Sequence, residues 1–174
     1  MVIKIDLANA FDRVWHSFLY KVLQWFRFES HCIGWVKDYI EEPWIIPLVN
    51  GRATNFFKAS TRLRQGFPLS PMLFVLHASV ISLKMNKIRL NQELLGLCLE
   101  RGVQDINHAQ FADDTLLLGG ASPQVASLFK LDLDSFCVAS WIRINTGKSH
   151  VFGWNIPARD LSDILRIFGF QGSS

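Results

Sequence analysis

The sequence predicts one mixed helix-and-strand domain of the α+β class, and three observations predict it. First, 174 residues with 49% hydrophobic and 19% charged side chains suffice for one buried core and are too apolar for wholesale disorder. Second, two segments carry hairpin chemistry: Asn50-Gly51 between apolar runs, and Ala112-Asp113-Asp114 between Phe111 and Leu116-Leu117-Leu118. Third, several segments repeat apolar residues at helical spacing, the first through Leu19, Val22, Leu23 and Phe26.

Each element has its own signal. Ile3, Ile5 and Leu7 alternate with Lys4 and Asp6, which predicts a half-buried strand over 2–7 with Asp6 near its end. Helices follow over 17–27 and 32–41, the second stopped by Pro43. Strands over 44–49 and 55–59 are joined through Asn50-Gly51. Ser70 as N-cap and Pro71 in the first turn open a helix that runs to Lys87. Residues 95–101 read as a short strand. Strands over 107–111 and 115–118 flank Ala112-Asp113-Asp114. Ser122-Pro123 starts a helix to Ser140, strands follow over 142–145 and 149–154, and a last helix over 158–168 ends at Gly169. There is no repeat, no low-complexity run and no linker.

Composition excludes several classes. The longest apolar stretch, 71–83, is interrupted by His77, Ser79 and Ser82, and a bilayer span needs ~20 apolar residues. The first residues lack a basic region before an apolar run, so they are not a secretory signal. Cys32, Cys98 and Cys137 are odd in number and far apart, against a disulfide scaffold or a zinc cluster, and they fit a reducing compartment. None of the five histidines pairs with a cysteine or carboxylate at ligand spacing. The net charge of +3 is weak for a protein that holds nucleic acid by itself. Fourteen Phe and six Trp are many for this length. Trp15, Trp25, Phe26 and Trp35 fall in or beside amphipathic helices and are expected to fill core rather than stack bases.

The carboxylates carry the chemistry. Strand-borne carboxylates among apolar neighbours are costly unless they hold a cation or a partner. Asp113-Asp114 is either a solvated turn, since Asp favours turns, or a ligand pair, since a two-residue Asp-Asp turn lacks the glycine hairpins prefer. Asp6 adds a third carboxylate. Three converging carboxylates suit two hard divalent ions such as Mg²⁺. Two such ions ~3.5–4 Å apart activate an attacking hydroxyl and stabilise a leaving pyrophosphate. Whether Asp6 meets Asp113 is set by the fold, not by spacing.

Four motifs then stand in order. Asp6-Leu7-Ala8-Asn9-Ala10-Phe11-Asp12 resembles the first catalytic motif of the reverse transcriptases of non-LTR (LINE-type) retrotransposons. Arg64-Gln65-Gly66-Phe67-Pro68-Leu69-Ser70-Pro71 resembles their second signature, Phe111-Ala112-Asp113-Asp114 their metal-binding hairpin, and Ile144-Asn145 with Lys148-Ser149 the next motif. The resemblance covers essentially the whole chain, 1–174, and looks closest to plant retroelements. It implies a palm: a small antiparallel sheet backed by helices, here with fingers and thumb largely missing. It implies RNA-directed DNA synthesis, in which a primer 3′-OH attacks the α-phosphorus of a dNTP on an RNA template. Asp6 and Asp113 would be the principal ligands of two Mg²⁺ ions, with Asp114 beside them. Phe11 would stand at the steric gate against a ribose 2′-OH. Without the resemblance its ring is equally well a filler between strand and helix. Gln65 and Gly66 would lie against nucleotide and template, the glycine allowing close backbone approach. Lys148 would sit near the triphosphate, and Arg62 and Arg64 would touch backbone phosphates. Taken singly, Lys148 is more often a solvated surface lysine, and an exposed strand end explains the arginines equally well. Asp12 is expected to serve the free N–H groups of the first helix.

Departures from the family pattern are Asn9, where a basic residue is usual, and Phe67, whose large ring would border the nucleotide path. Trp141 stands where glycine is usual; a left-handed backbone there costs a non-glycine ~1 kcal/mol or more. Asp132 falls on the apolar stripe of Val125, Phe129 and Phe136 and would destabilise the core if unpaired. The chain opens just before Asp6 and stops about where the resemblance places the primer grip, with no endonuclease or RNase H segment. The isolated chain is therefore expected to have little or no processive activity. The alternative is a non-catalytic remnant that at most binds nucleic acid or a protein partner, or self-associates through apolar faces left exposed. A nucleotide cyclase, another palm-like class, leaves the run from Arg64 to Pro71 unexplained. The family implies a nuclear or cytoplasmic site of action.

Overall fold

A computed structural model describes residues 1–41, 44–58, 63, 66–90, 96–98, 100 and 105–170. The alternating segment at the start is strand β1, Val2–Ala8, and its odd residues Ile3, Ile5 and Leu7 are buried. A 3-10 turn at Phe11–Arg13 leads into α1, His16–Trp25, and then α2, Ser30–Ile40. The hairpin region forms two short ladders. β2, Trp44–Ile45, pairs with β5, Phe57–Lys58; inside it β3, Leu48–Val49, pairs with β4, Arg52–Ala53. Asn50 and Gly51 take φ of 50° and 75°, the doubly left-handed pattern that makes Asn-Gly the favoured two-residue hairpin loop. The ladder breaks at Pro47, which has no N–H to give; its carbonyl accepts from Thr54 N and Thr54 Oγ1, both at 3.0 Å.

Helix α3, Ser70–Leu90, buries Leu73, Phe74, His77, Ala78, Ile81, Met85 and Ile88 along one stripe. The expected strand at 95–101 lies mostly outside the described residues; Leu97 makes an isolated antiparallel bridge to Ile106. β6, His108–Phe111, and β7, Asp114–Leu118, form the second hairpin. α4, Pro123–Ser140, is capped by Ser122 Oγ, which accepts from Val125 N at 3.3 Å. β8, Arg143–Ile144, and β9, His150–Phe152, precede α5, Ala158–Phe168.

These strands make an antiparallel sheet in the order β6-β7-β1-β8, with β9 also on β1. β1 is its centre: β7 lies along one edge, and β9 and β8 share the other. Register aligns His108, Leu117, Ile3 and Val151 in one cross-strand row. Leu117, Ile3 and Val151 are buried, and α1, α3, α4 and α5 supply the core residues facing them, including Leu23, Phe74, Phe129 and Ile164. The fold is thus the antiparallel, helix-backed palm-like α+β arrangement. No described helix is long and apolar enough to cross a membrane.

Several expectations need correction. Trp15, Trp25, Phe26 and Trp35 are not core: they are 41%, 62%, 41% and 68% exposed. α1 buries Leu19, Val22 and Leu23, and α2 buries Ile33 and Ile40. Trp25 and Trp35 project off those stripes, and Phe26 already caps the end of α1. Asp12 is exposed in the 3-10 turn, and α1 begins on Trp15 with no side-chain cap. Asp132 is paired: Lys84 Nζ of α3 reaches its Oδ1 at 3.2 Å and Ser135 Oγ at 2.7 Å. Its carboxylate is thereby neutralised at the α3–α4 seam. His31 does find partners, Glu29 Oε2 at 3.1 Å and Cys32 Sγ at 3.3 Å, on an exposed turn of α2. All three cysteines are free thiols. Trp141 does adopt the left-handed backbone anticipated for it, φ 63°, and its exposed ring tilts against Trp15 with centroids 5.4 Å apart.

Candidate active site

The outer face of the sheet, opposite the core, carries the polar residues of β1. Because side chains alternate along a strand, Lys4 and Asp6 share that face. Asp6 is the direct cross-strand partner of Asp114, which in turn pairs with Phe111. Directly opposed residues project to the same side with Cβ atoms ~4.5–5.5 Å apart, and like charges there repel. The fold therefore places two carboxylates face to face, at a cost of up to ~1 kcal/mol. Burial of Ile3, Ile5 and Leu117 on the reverse face, worth roughly 1.5–3 kcal/mol each, outweighs that repulsion and fixes the register.

Asp113 sits in the turn itself. Since Phe111 pairs with Asp114, the two-residue loop is Ala112-Asp113, not Asp113-Asp114 as the sequence suggested. Ala112 supplies the left-handed first position, φ 52°, where glycine is usual. Asp114 is the first residue of β7, and its half-buried carboxylate is met by Lys4, Nζ to Oδ1 3.2 Å. That contact is a charge contact only. Oδ1 is shut off from solvent and has no aligned hydrogen bond.

The last motif holds Asp6 from the other edge. Asn145 N donates to the Asp6 carbonyl at 2.9 Å, and Asp6 N donates to Ser149 Oγ at 3.1 Å. Asn145 Oδ1 accepts from Gly147 N at 3.2 Å, and its carbonyl from Lys148 N at 3.1 Å and Ser149 N at 3.0 Å. This tight Asx-type turn brings buried Ser149 under the Asp6 amide and leaves Lys148 exposed at the rim. Sequence reasoning gave Ser149 no role. Its only signal was its place beside Lys148 in the motif.

Phe11 lies in the 3-10 turn and stacks on Phe74 of α3, centroids 4.7 Å apart and planes at 27°. Its carbonyl accepts from Leu63 N at 3.2 Å, and Leu63 is fully buried. That bond ties the loop carrying the second signature to the end of the first. Arg62, Arg64 and Gln65 lie outside the described residues. Gly66 is exposed with φ 89°, and a Cβ there would meet nothing within 4 Å. The chain needs glycine here for the backbone turn, not for close approach to another part of the protein. Phe67 is packed edge-on to Tyr39, centroids 5.6 Å apart, and Leu69 N donates to Tyr39 Oη at 3.4 Å. Its large ring docks the loop on α2.

As for metal, the donors are hard oxygens and Asp114 Oδ1 lacks a hydrogen-bond partner. Among the described residues, no group of three or more His, Cys, Asp or Glu is gathered tightly enough to hold an ion alone. Asp6 and Asp114 face one another, while Asp113 stands in the adjoining turn. This fits Mg²⁺, which is bound through one or two carboxylates completed by water and substrate phosphates rather than by an all-protein cage.

The chain is similar to known proteins. The family model of reverse transcriptase (RNA-dependent DNA polymerase) matches residues 1–162. The Pol polyprotein of the type-1 retrotransposable element R2 of Popillia japonica is 32% identical over 67% of this chain. The RNA-directed DNA polymerase from the mobile element jockey of Drosophila melanogaster is 29% identical over 83% of it. The chain spans only 18% and 15% of those two relatives. A telomerase from Candida albicans, solved with a fragment of telomeric RNA, superposes with a TM-score of 0.64 at 14% identity, covering 90% of this chain and 27% of that one. The helix-backed sheet and the family match over residues 1–162 together place the chain in the reverse transcriptase family, with relatives from non-LTR (LINE-type) retroelements.

Proposed function

We propose that this chain is the palm segment of an RNA-directed DNA polymerase, whose template is RNA and whose substrates are a DNA primer and dNTPs. The observation that carries the reading is the opposition of Asp6 and Asp114 across β1 and β7, with a solvent-hidden Asp114 oxygen beside the Asp113 turn that has the Lys4 charge contact but no hydrogen bond. Asp6, Asp113 and Asp114 would hold two Mg²⁺ ions, which when bound supply Lewis-acid activation of the attacking 3′-OH and stabilisation of the leaving pyrophosphate. The protein's own share is positioning. Ser149 and Asn145 fix the backbone of Asp6, the Ala112-Asp113 turn presents Asp113, and Phe74 backs the Phe11 ring as a wall against a 2′-OH. Lys148, exposed at the rim, would meet triphosphate oxygens as a mobile cation. Arg64, Gln65 and Gly66 would line the nucleotide and template path.

The chain spans less than a fifth of its polymerase relatives, so processive synthesis is assigned to the longer protein. The test is primer extension on an RNA template, by the chain alone and by a chimera that sets it in frame between the flanking segments of the jockey polymerase. The isolated chain is expected to give no processive extension, and processive synthesis by it would overturn that part of the reading. The chimera is expected to extend the primer, and Asp113→Asn to reduce extension at least ~100-fold. Extension that survives Asp113→Asn would remove Asp113 from the mechanism. The second reading, a non-catalytic remnant that binds nucleic acid or a partner, draws on the exposed Trp25, Trp35 and Trp44. It requires binding to a primed template with the steep salt dependence of phosphate contacts and no extension by the chimera.

A further inference from the structure

Lys4 stands on the same outer face as Asp6, two residues before it, and reaches diagonally across to Asp114 on β7. Its ammonium is 3.2 Å from Asp114 Oδ1, the oxygen that is hidden from solvent and otherwise without a hydrogen bond. The side chain is 38% exposed, so its flexible stem has room to swing away. Lys4 is therefore a cation placed to relieve the repulsion built into the Asp6–Asp114 register.

We propose that Lys4 is a resident counter-ion of the metal site. It neutralises Asp114 in the metal-free protein and has to leave that oxygen when a divalent ion arrives, so it sets the affinity of the site as a positioning residue. The proposal rests on the reading of Asp6 and Asp114 as metal ligands. It follows from Coulomb repulsion, since a divalent ion on Asp114 Oδ1 and an ammonium in contact with the same oxygen are like charges a few ångström apart. A merely structural Lys4, one half of a cross-strand ion pair, makes no such demand.

The experiment is a Mn²⁺ titration read by the EPR signal of the free ion, on the wild-type chain and on Lys4→Met, Lys4→Gln and Lys4→Arg, with Asp6→Asn and Asp114→Asn as site controls. Lys4→Met and Lys4→Gln are expected to bind Mn²⁺ about fivefold tighter. They are also expected to melt at lower temperature than wild type without metal and to recover on adding it. Lys4→Arg, which keeps the charge, is expected to bind as wild type does. Two neutral variants guard against one that fails to fold. If the wild type binds Mn²⁺ at a site that Asp6→Asn removes, yet neither neutral variant binds tighter, the counter-ion role is overturned and the carboxylate reading stands. If no binding is sensitive to Asp6→Asn or Asp114→Asn, both are overturned.

Discussion

Mild acid is expected to destabilise this domain through the buried imidazole of His77, by an amount that its surroundings set. His77 lies fully buried in the middle of α3. Phe18 and Phe136 meet its ring edge-on, with centroids 5.0 and 5.8 Å away, and Phe74 lies nearly parallel at 6.5 Å. Neither ring nitrogen has a hydrogen-bond partner. With no counter-charge, burial alone pushes the imidazole from its ordinary 6.5 down to about 4. The folded protein thus refuses a proton that the unfolded chain accepts. The contribution to stability is complete above the unfolded pKa, declines as pH falls below 6.5, and is exhausted once pH passes the folded value near 4. Integrated over that window the loss is about 3 kcal/mol, of which about 2 kcal/mol has gone by about pH 5. That is a large share of the 5–15 kcal/mol typical of a domain. His77→Leu keeps roughly the same volume and removes two unpaired polar atoms. It is expected to stabilise the domain by about 1–2 kcal/mol at neutral pH and to abolish this part of the acid dependence. The assay is urea unfolding of both proteins at about pH 7.5 and about pH 5, read by far-UV circular dichroism. Taking the difference between proteins cancels the carboxylates, which titrate in both. Equal losses of stability in wild type and variant would refute the reasoning, because His77 would then be either hydrated or paired. The consequence reaches the site, since Phe74, which shares this cage, also supports Phe11.

Two further changes probe the carboxylate scaffold. Ala112→Gly, at the left-handed first position of the hairpin loop, is expected to raise stability by up to about 1 kcal/mol; a lower melting temperature would show that this backbone is not strained. Ser149→Ala removes the acceptor of the Asp6 amide and is expected to cost about 1–2 kcal/mol. It should also speed hydrogen exchange at the Asp6 amide, and unchanged exchange there would count against Ser149 as the clamp.

Local signals were legible in the sequence where the chemistry is local. Alternation of apolar and polar residues marked β1, Ser122-Pro123 and Gly169 bounded α4 and α5, and Asn50-Gly51 marked its hairpin, because caps and turns are decided within a few residues. The family motifs nominate Asp6, Asp113 and Phe11 as site residues for the same reason: they stand at fixed spacing. The aromatic residues were misread because hydrophobicity alone does not say which side of a helix packs. Trp25 and Trp35 are apolar yet lie off the buried stripes of α1 and α2. Whether Asp132 is paired was not legible locally, since its partner Lys84 lies 48 positions away along the chain.

By itself, then, the sequence determined the class of fold, the order of its elements and the residue types available for chemistry, all properties of short segments. Only the tertiary structure decided the register of β1 against β7. It opposes Asp6 to Asp114, moves the loop to Ala112-Asp113, seats Lys4 on Asp114 and brings Ser149 beneath Asp6. The physical reason is that register is fixed by burial on the other side of the sheet. Ile3, Ile5 and Leu117 find their places in the core, and the carboxylates on the open face are carried into opposition with them.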